Sequence, residues 1–310
     1  MPNDTKALIA SIEKEMQREA KTAEDNAALM RLQEIAKAYS GDDEVISSAE
    51  LVEAMLKLPK KEKFYSGFPL LDKYMEGFMT GESIFVSGIT KHGKTSMMME
   101  LCVRFEKQNP LWLSFEEKPI ELIRKFHEKT GIIPHFYTPR RDEKKNLEWV
   151  ERKIIEAKAK FGTKVVFLDH IGFVKDHEMR PGENEANCYE RISRSIHSLA
   201  GKWDVVFFHL GHLTKVGITQ NPDIENIKGS SAMAQEADLT MLVWRKTVRE
   251  NGKVVISNET NLSLQANRRG QTGNVEFFYS NGRFEELDFD SLASREEEDD
   301  TDWGITPSKQ

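Results

Sequence analysis

The chain has 310 residues, 39% hydrophobic and 31% charged, with a net charge of −7. This is enough apolar material for a substantial core, yet no run approaches the roughly 18 apolar residues of a membrane-crossing helix. An N-terminus without a secretory apolar core, and Cys102 and Cys188 as the only cysteines, argue against a disulfide-stapled secreted domain and predict a reducing, cytoplasmic setting.

Charge is unevenly spread. Between Glu285 and Asp302 stand ten acids against Arg295 alone, a charge of −9 that leaves +2 for the rest. An acidic total therefore does not exclude nucleic acid as a partner, because local surface decides that.

In chain order, residues 4–39 carry Leu8, Ile12, Met16, Leu29, Leu32, Ile35 and Tyr39 at helical spacing, ended by Ser40-Gly41-Asp42-Asp43. Residues 1–43 thus read as a helical N-terminal segment. Residues 44–63 read as a linker helix from Ser48 to Leu58, stopped by Pro59, followed by the basic Lys60-Lys61-Glu62-Lys63. The helix's thin apolar stripe is too small to form a core and has to dock elsewhere. Residues 64–288 alternate strand-like and helix-like segments, the pattern of an α/β domain with a mostly parallel sheet. The acidic residues 289–310, with Trp303 as a lone aromatic, read as a disordered tail whose aromatic could serve a docking motif or nothing.

The most specific motif opens that domain. Ile84-Phe85-Val86-Ser87 is an apolar strand running into Gly88-Ile89-Thr90-Lys91-His92-Gly93-Lys94-Thr95-Ser96 and then a helical pattern. Two glycines let successive backbone N–H groups turn inward on an anion, Lys94 reaches the β- and γ-phosphates, and the Thr95 hydroxyl suits Mg²⁺. The helix that follows adds its positive N-terminal end. These residues predict binding of a nucleoside triphosphate with Mg²⁺.

Two more strands end in acids. Leu111 to Phe115 delivers Glu116 and Glu117, and Val165 to Leu168 delivers Asp169. In a doubly wound sheet ligands sit outside the carboxyl ends of the strands, so these acids can converge on the nucleotide. Asp169 is the candidate metal ligand, and Glu116 or Glu117 the group that activates water, with Glu116 preferred. A strand-end turn residue and helix N-terminal acids are the competing structural readings. Spacing of His and Cys suggests no zinc site.

Gly67-Phe68-Pro69-Leu70-Leu71-Asp72, the phosphate loop, Ser114-Phe115-Glu116, Phe167-Leu168-Asp169-His170, His209 to Lys215, Asp223 to Ser230 and Asn267 to Gly273 follow one another in an order that resembles the RecA-fold motor domain of DnaB-type replicative helicases. The resemblance covers about residues 60–280. It implies a ring, expected to be hexameric, that hydrolyses ATP at sites shared between subunits and moves on single-stranded DNA during replication. Arg268 is then the candidate arginine finger reaching a neighbour's site, with Arg269 its competitor, and His212 stands where the family usually has a glutamine that senses the γ-phosphate. Lys175 to Asn187 and Val216 to Ser231 would be the DNA-facing loops, and the acidic tail could hold another replication protein. Ala266 replaces a family lysine, and the family's large N-terminal domain has no counterpart here. The competing readings are a RecA/RadA- or KaiC-like ATPase that assembles on DNA or protein without unwinding, and a regulatory member whose nucleotide site drives assembly only.

Overall fold

In a computed structural model of the chain, residues 45–57, 61–141, 146–211, 236–250 and 253–287 are described. The described residues fall into two units, one within Met1–Lys60 and one within Lys61–Gln310. Expectations for residues 1–43, the linker around Pro59, Val216 to Ser231 and the acidic tail lie outside the described residues.

In the first unit, α1 spans Ser48–Lys57. A capping box starts it: the Glu50 backbone N–H donates to Ser47 Oγ while Glu50 Oε2 accepts from the Ser47 N–H at 2.8 Å. Leu51, Val52 and Leu56 are exposed.

The second unit is built on an eight-stranded sheet of order β10-β9-β8-β7-β3-β6-β5-β4, beside a small ladder of β1 (Lys63–Phe64) with β2 (Phe78–Met79). Its parallel part comprises β3 (Ser83–Gly88), β4 (Leu111–Ser114), β5 (Val165–Asp169), β6 (Val206–Leu210) and the adjoining β7 (Leu239–Glu250). The remainder is an antiparallel meander of β7, β8 (Lys253–Asn267), β9 (Gly273–Ser280) and β10 (Arg283–Leu287). The expected α/β architecture is therefore present, with a parallel half and an antiparallel extension.

The near-continuous apolar strands make sense because both sheet faces are covered. Alternate residues go to opposite sides: Ile84, Val86, Trp112, Phe167 and Phe208 enter one core with helices α2 (Pro69–Met75), α3 (Lys94–Arg104) and α4 (Pro119–Thr130). Phe85, Leu113, Leu168 and Phe207 enter the other with α5 (Leu147–Phe161), α6 (Ile171–Glu178) and α7 (Glu185–Trp203). Register places Trp112, Phe167 and Phe208 side by side across three strands, with ring centroids 5.1 and 4.9 Å apart. Offset stacks of this kind add to burial and hold the parallel strands in one register. Trp112 and Trp244 are both buried.

One expected loop is shorter than its sequence implied. Ile171 and Val174 bury one side of α6, His170 caps its N-terminus, and Asn184 caps α7, so only residues 179–184 connect the two helices. Lys175 is paired with Asp176 and Glu185, each at 3.1 Å, leaving its charge largely used inside the fold.

Candidate nucleotide site

The phosphate loop connects β3 to α3 as its sequence requires. Gly88 has φ +154° and lies against β7, where a Cβ would fall 1.9 Å from the Val243 carbonyl oxygen. Only glycine can pass there without moving β7. Gly93, at φ +94°, precedes the first helical residue, and its carbonyl receives the Met97 N–H at 2.8 Å.

Around this loop lies a cavity of about 430 Å³ lined by Thr90, Lys91, Gly93 to Ser96, Glu116 and Asp169, among others. Parallel register explains the convergence, since Ser114 pairs with Asp169 and the carboxyl ends of β4 and β5 finish level. Lys94 Nζ donates to the Gly88 and Ile89 carbonyls at 2.9 and 3.1 Å, a folded-back position from which it can swing to a phosphate. Burial lowers its pKa to about 8, against the pull of Asp169 and Glu116. Burial and the neighbouring Glu116 raise Asp169 to about 6. Thr95 Oγ1 donates to Asp169 Oδ2 at 3.3 Å.

The two acids after β4 part company. Glu116 is exposed and lines the cavity, whereas Glu117 is drawn into an ion pair with Lys125 at 2.5 Å. Three of the predicted loop residues, Gly88, Ile89 and His92, do not line the cavity. His92 is buried and its Nδ1 accepts the Arg245 backbone N–H at 3.2 Å, tying the loop to β7.

Residues that sequence reasoning missed close the cavity. Arg245 and Tyr279 both line it, with the guanidinium 5.8 Å from the ring centroid, and Tyr279 Oη donates to the Lys129 carbonyl at 2.9 Å. Lys125, Lys129 and His170 line it too. No local pattern marks Arg245, Tyr279, Lys125 or Lys129, because they arrive from distant strands and helices, whereas His170 directly follows Asp169.

The two arginines of the β8–β9 turn differ sharply. Arg269 is fastened, donating from Nε to Glu82 at 2.5 Å and from Nη2 to the Gly77 carbonyl at 2.7 Å. Arg268 is 53% exposed and lies 3.7 Å from Asp238. Register pairs Asn267 with Leu239 and Leu239 with Ile84, while Gly88 pairs with Val243. Arg268 thus stands at the end of the sheet opposite the phosphate loop, about four residues or roughly 13 Å along the strands. His212 follows Gly211, which lines the cavity, but His212 itself lies outside the described residues.

Among the described residues no cluster of three or more His, Cys, Asp or Glu is arranged to hold a metal, and no helix is long and apolar enough to cross a membrane. The hard oxygens of Thr95 and Asp169 nonetheless suit Mg²⁺, which is held by one or two protein groups together with substrate phosphates.

Residues 140–286 match the family model of the DnaB-like helicase C terminal domain, a stretch that begins after the phosphate loop and Glu116. Over 113 residues the chain is 29% identical to the replicative DNA helicase DnaB of Treponema pallidum (strain Nichols), covering 36% of this chain and 23% of that protein. The match therefore spans about a quarter of that relative. Among solved structures, one described as an ATPase domain superposes with a TM-score of 0.63 at 18% identity, covering 80% of this chain and all of that one. A DnaB-like replicative helicase studied with its interactions with primase gives the same TM-score and identity over 91% of this chain and 77% of that one. These likenesses extend the shared fold beyond residues 140–286, the stretch that is similar to the DnaB-like helicase C terminal domain.

Proposed function

We propose that this protein is an ATP-driven, ring-forming translocase on single-stranded DNA that unwinds duplex during replication. The observation that carries the reading is the convergence of Lys94, Thr95, Asp169 and Glu116 on one cavity in a chain whose following segment matches the helicase domain.

The roles follow from chemistry. The backbone of Gly88 to Ser96 cradles the phosphates, and Lys94 places a cation on their outer oxygens. Thr95 and Asp169 would hold Mg²⁺, which would supply positive charge to the phosphates. Glu116 lines the cavity and orients the attacking water, whereas Glu117 is held by Lys125. Arg245 and Tyr279 offer flat faces on which the base can stack.

Arg268 cannot reach the phosphate loop of its own subunit from the far end of the sheet. An arginine there is well suited to meet a γ-phosphate held by a neighbour, its planar fork always charged. The fastening of Arg269 to Glu82 and Gly77 supports Arg268 as the finger. His212 is the proposed γ-phosphate sensor. Hexameric assembly, single-stranded DNA as track and a replication partner for the acidic tail belong to the same proposal.

ATP hydrolysis measured with and without single-stranded DNA, alongside native mass, tests it. Stimulation by DNA together with a hexameric mass is the expected result. A monomer whose hydrolysis ignores DNA would sink the translocase reading and leave an assembly ATPase in its place.

A further inference from the structure

The turn that presents Arg268 is pinned on both sides. Asn267 Oδ1 accepts the N–H groups of Arg269 and Gly270 at 3.1 and 2.9 Å, and Arg269 is locked onto Glu82. Arg268 itself donates its backbone N–H to the Asp238 carbonyl at 3.0 Å. Its side chain meets the Asp238 carboxylate, Nη1 to Oδ1, at 3.7 Å.

That carboxylate is not free to turn. Its other oxygen, Oδ2, accepts the Ser83 backbone N–H at 2.9 Å and lies 3.0 Å from His197 Nδ1. A carboxylate oxygen can only accept, so His197 Nδ1 is the donor in this contact. Ser83 Oγ also lies 3.4 Å from Oδ2, and the Asp238 backbone N–H returns a bond to the Ser83 carbonyl at 3.0 Å. One oxygen is thus anchored by β3 and α7, which fixes where the second points. The second points at Arg268.

The 3.7 Å contact orients the 53% exposed guanidinium toward a carboxylate that is itself only 20% exposed. Glu236 adds acid on the same side but is engaged by Arg194 at 2.9 Å. We propose that Asp238, anchored by Ser83 and His197, is a positioning residue for Arg268: it orients the guanidinium for a phosphate on a neighbouring subunit. The proposal rests on Arg268 serving a shared site. Its physical content is pre-organisation, since a displacement of about 1 Å in a group that meets the transition state can cost up to about a hundredfold in rate.

A double-mutant cycle in the full-length assembled protein tests it, read in single turnovers with protein in excess so that slow variants stay measurable. Asp238→Asn keeps an oxygen for the Ser83 N–H while removing the charge. It is expected to lower kcat for ATP hydrolysis about tenfold, with KM for ATP within about twofold. In an Arg268→Ala background the same change should cost less than about twofold, because Asp238 would have nothing left to position. His197→Ala, which loosens the anchor at a half-exposed site, should lower kcat about threefold and likewise lose its effect when Arg268 is absent. An equal loss in both backgrounds would mean that Asp238 supports the fold rather than the arginine, and no loss in either would end the idea. Should Arg268→Ala itself hydrolyse normally, the shared site fails first, and that outcome is read separately from the cycle.

Discussion

The parallel and antiparallel halves of the sheet do different work. In β3 to β6 every strand runs the same way, so every carboxyl end reaches one end of the sheet and the phosphate loop, Glu116 and Asp169 meet there. In β7 to β10 alternate strands reverse, so turns appear at both ends. That half supplies Arg245 and Tyr279 to the local cavity and presents Arg268 at the opposite end. A parallel array builds one side of a site; a meander can serve two sites at once.

The contrast can be broken most severely at its parallel side. Lys94→Ala should reduce ATP hydrolysis by about a thousandfold or more through loss of charge on the transferring phosphate. Because the hydrogen bonds of the Lys94 ammonium among the described residues go to loop carbonyls of its own turn, the thermal midpoint should stay within a few degrees, about the shift that 1 kcal/mol produces in a domain of this size. Persistent unwinding by this variant would refute the assignment of the loop.

Next comes the antiparallel side. Arg268→Ala should lower kcat by about a thousandfold, as for other arginine fingers, while nucleotide binding measured by equilibrium titration is retained. Mixing it with Lys94→Ala subunits should restore part of the activity, since some interfaces would then hold one intact loop and one intact finger. Arg269→Ala should instead destabilise the fold by about 2 kcal/mol by stripping a partly buried ion pair and a carbonyl bond. If Arg269→Ala abolishes hydrolysis in a protein of unchanged stability, the two arginines have been assigned the wrong way round.

Tyr279→Ala should raise KM for ATP about tenfold with little change in kcat, because an aromatic face stacked on a base contributes about 1 to 3 kcal/mol to binding. Equal KM values for wild type and variant would remove Tyr279 from the site.

The smallest effect is on pH. Asp169, raised to about 6, loses its charge as pH falls through that value and with it the capacity to hold Mg²⁺. Lys94, lowered to about 8, loses its charge as pH rises through that value and with it the attraction for phosphate. The profile of kcat/KM, which reports the free protein, should therefore rise to a plateau between about 6 and 8 and fall on either side. A flat profile from pH 5 to 9 would separate these two groups from the chemistry.

The phosphate loop could be read from sequence because each of its parts is contiguous: an apolar strand, a turn that needs glycine, and a helix start. Asp169 and Glu116 were legible for the same reason, standing immediately after apolar strands. Which of Glu116 and Glu117 faces the cavity was not, since an ion pair with Lys125, eight residues away on α4, makes that choice. The role of His92 was equally hidden, its partner being Arg245, 153 positions along the chain. Arg268 and Arg269 are neighbours in sequence with the same charge, and only the strand register and the position of Glu82 tell them apart.

By itself, then, the amino-acid sequence determined that a glycine-containing loop suited to phosphate would stand between β3 and α3, and which strand ends would carry acids, because short-range sterics and apolar runs settle both. Only the tertiary structure decided which acid turns inward, which arginine stays exposed, and that the exposed one stands at the other end of the sheet from the phosphate loop. Those outcomes depend on contacts between residues up to about 190 positions apart, and on the reversal of strand direction at β8, where distance along the chain no longer predicts distance in space.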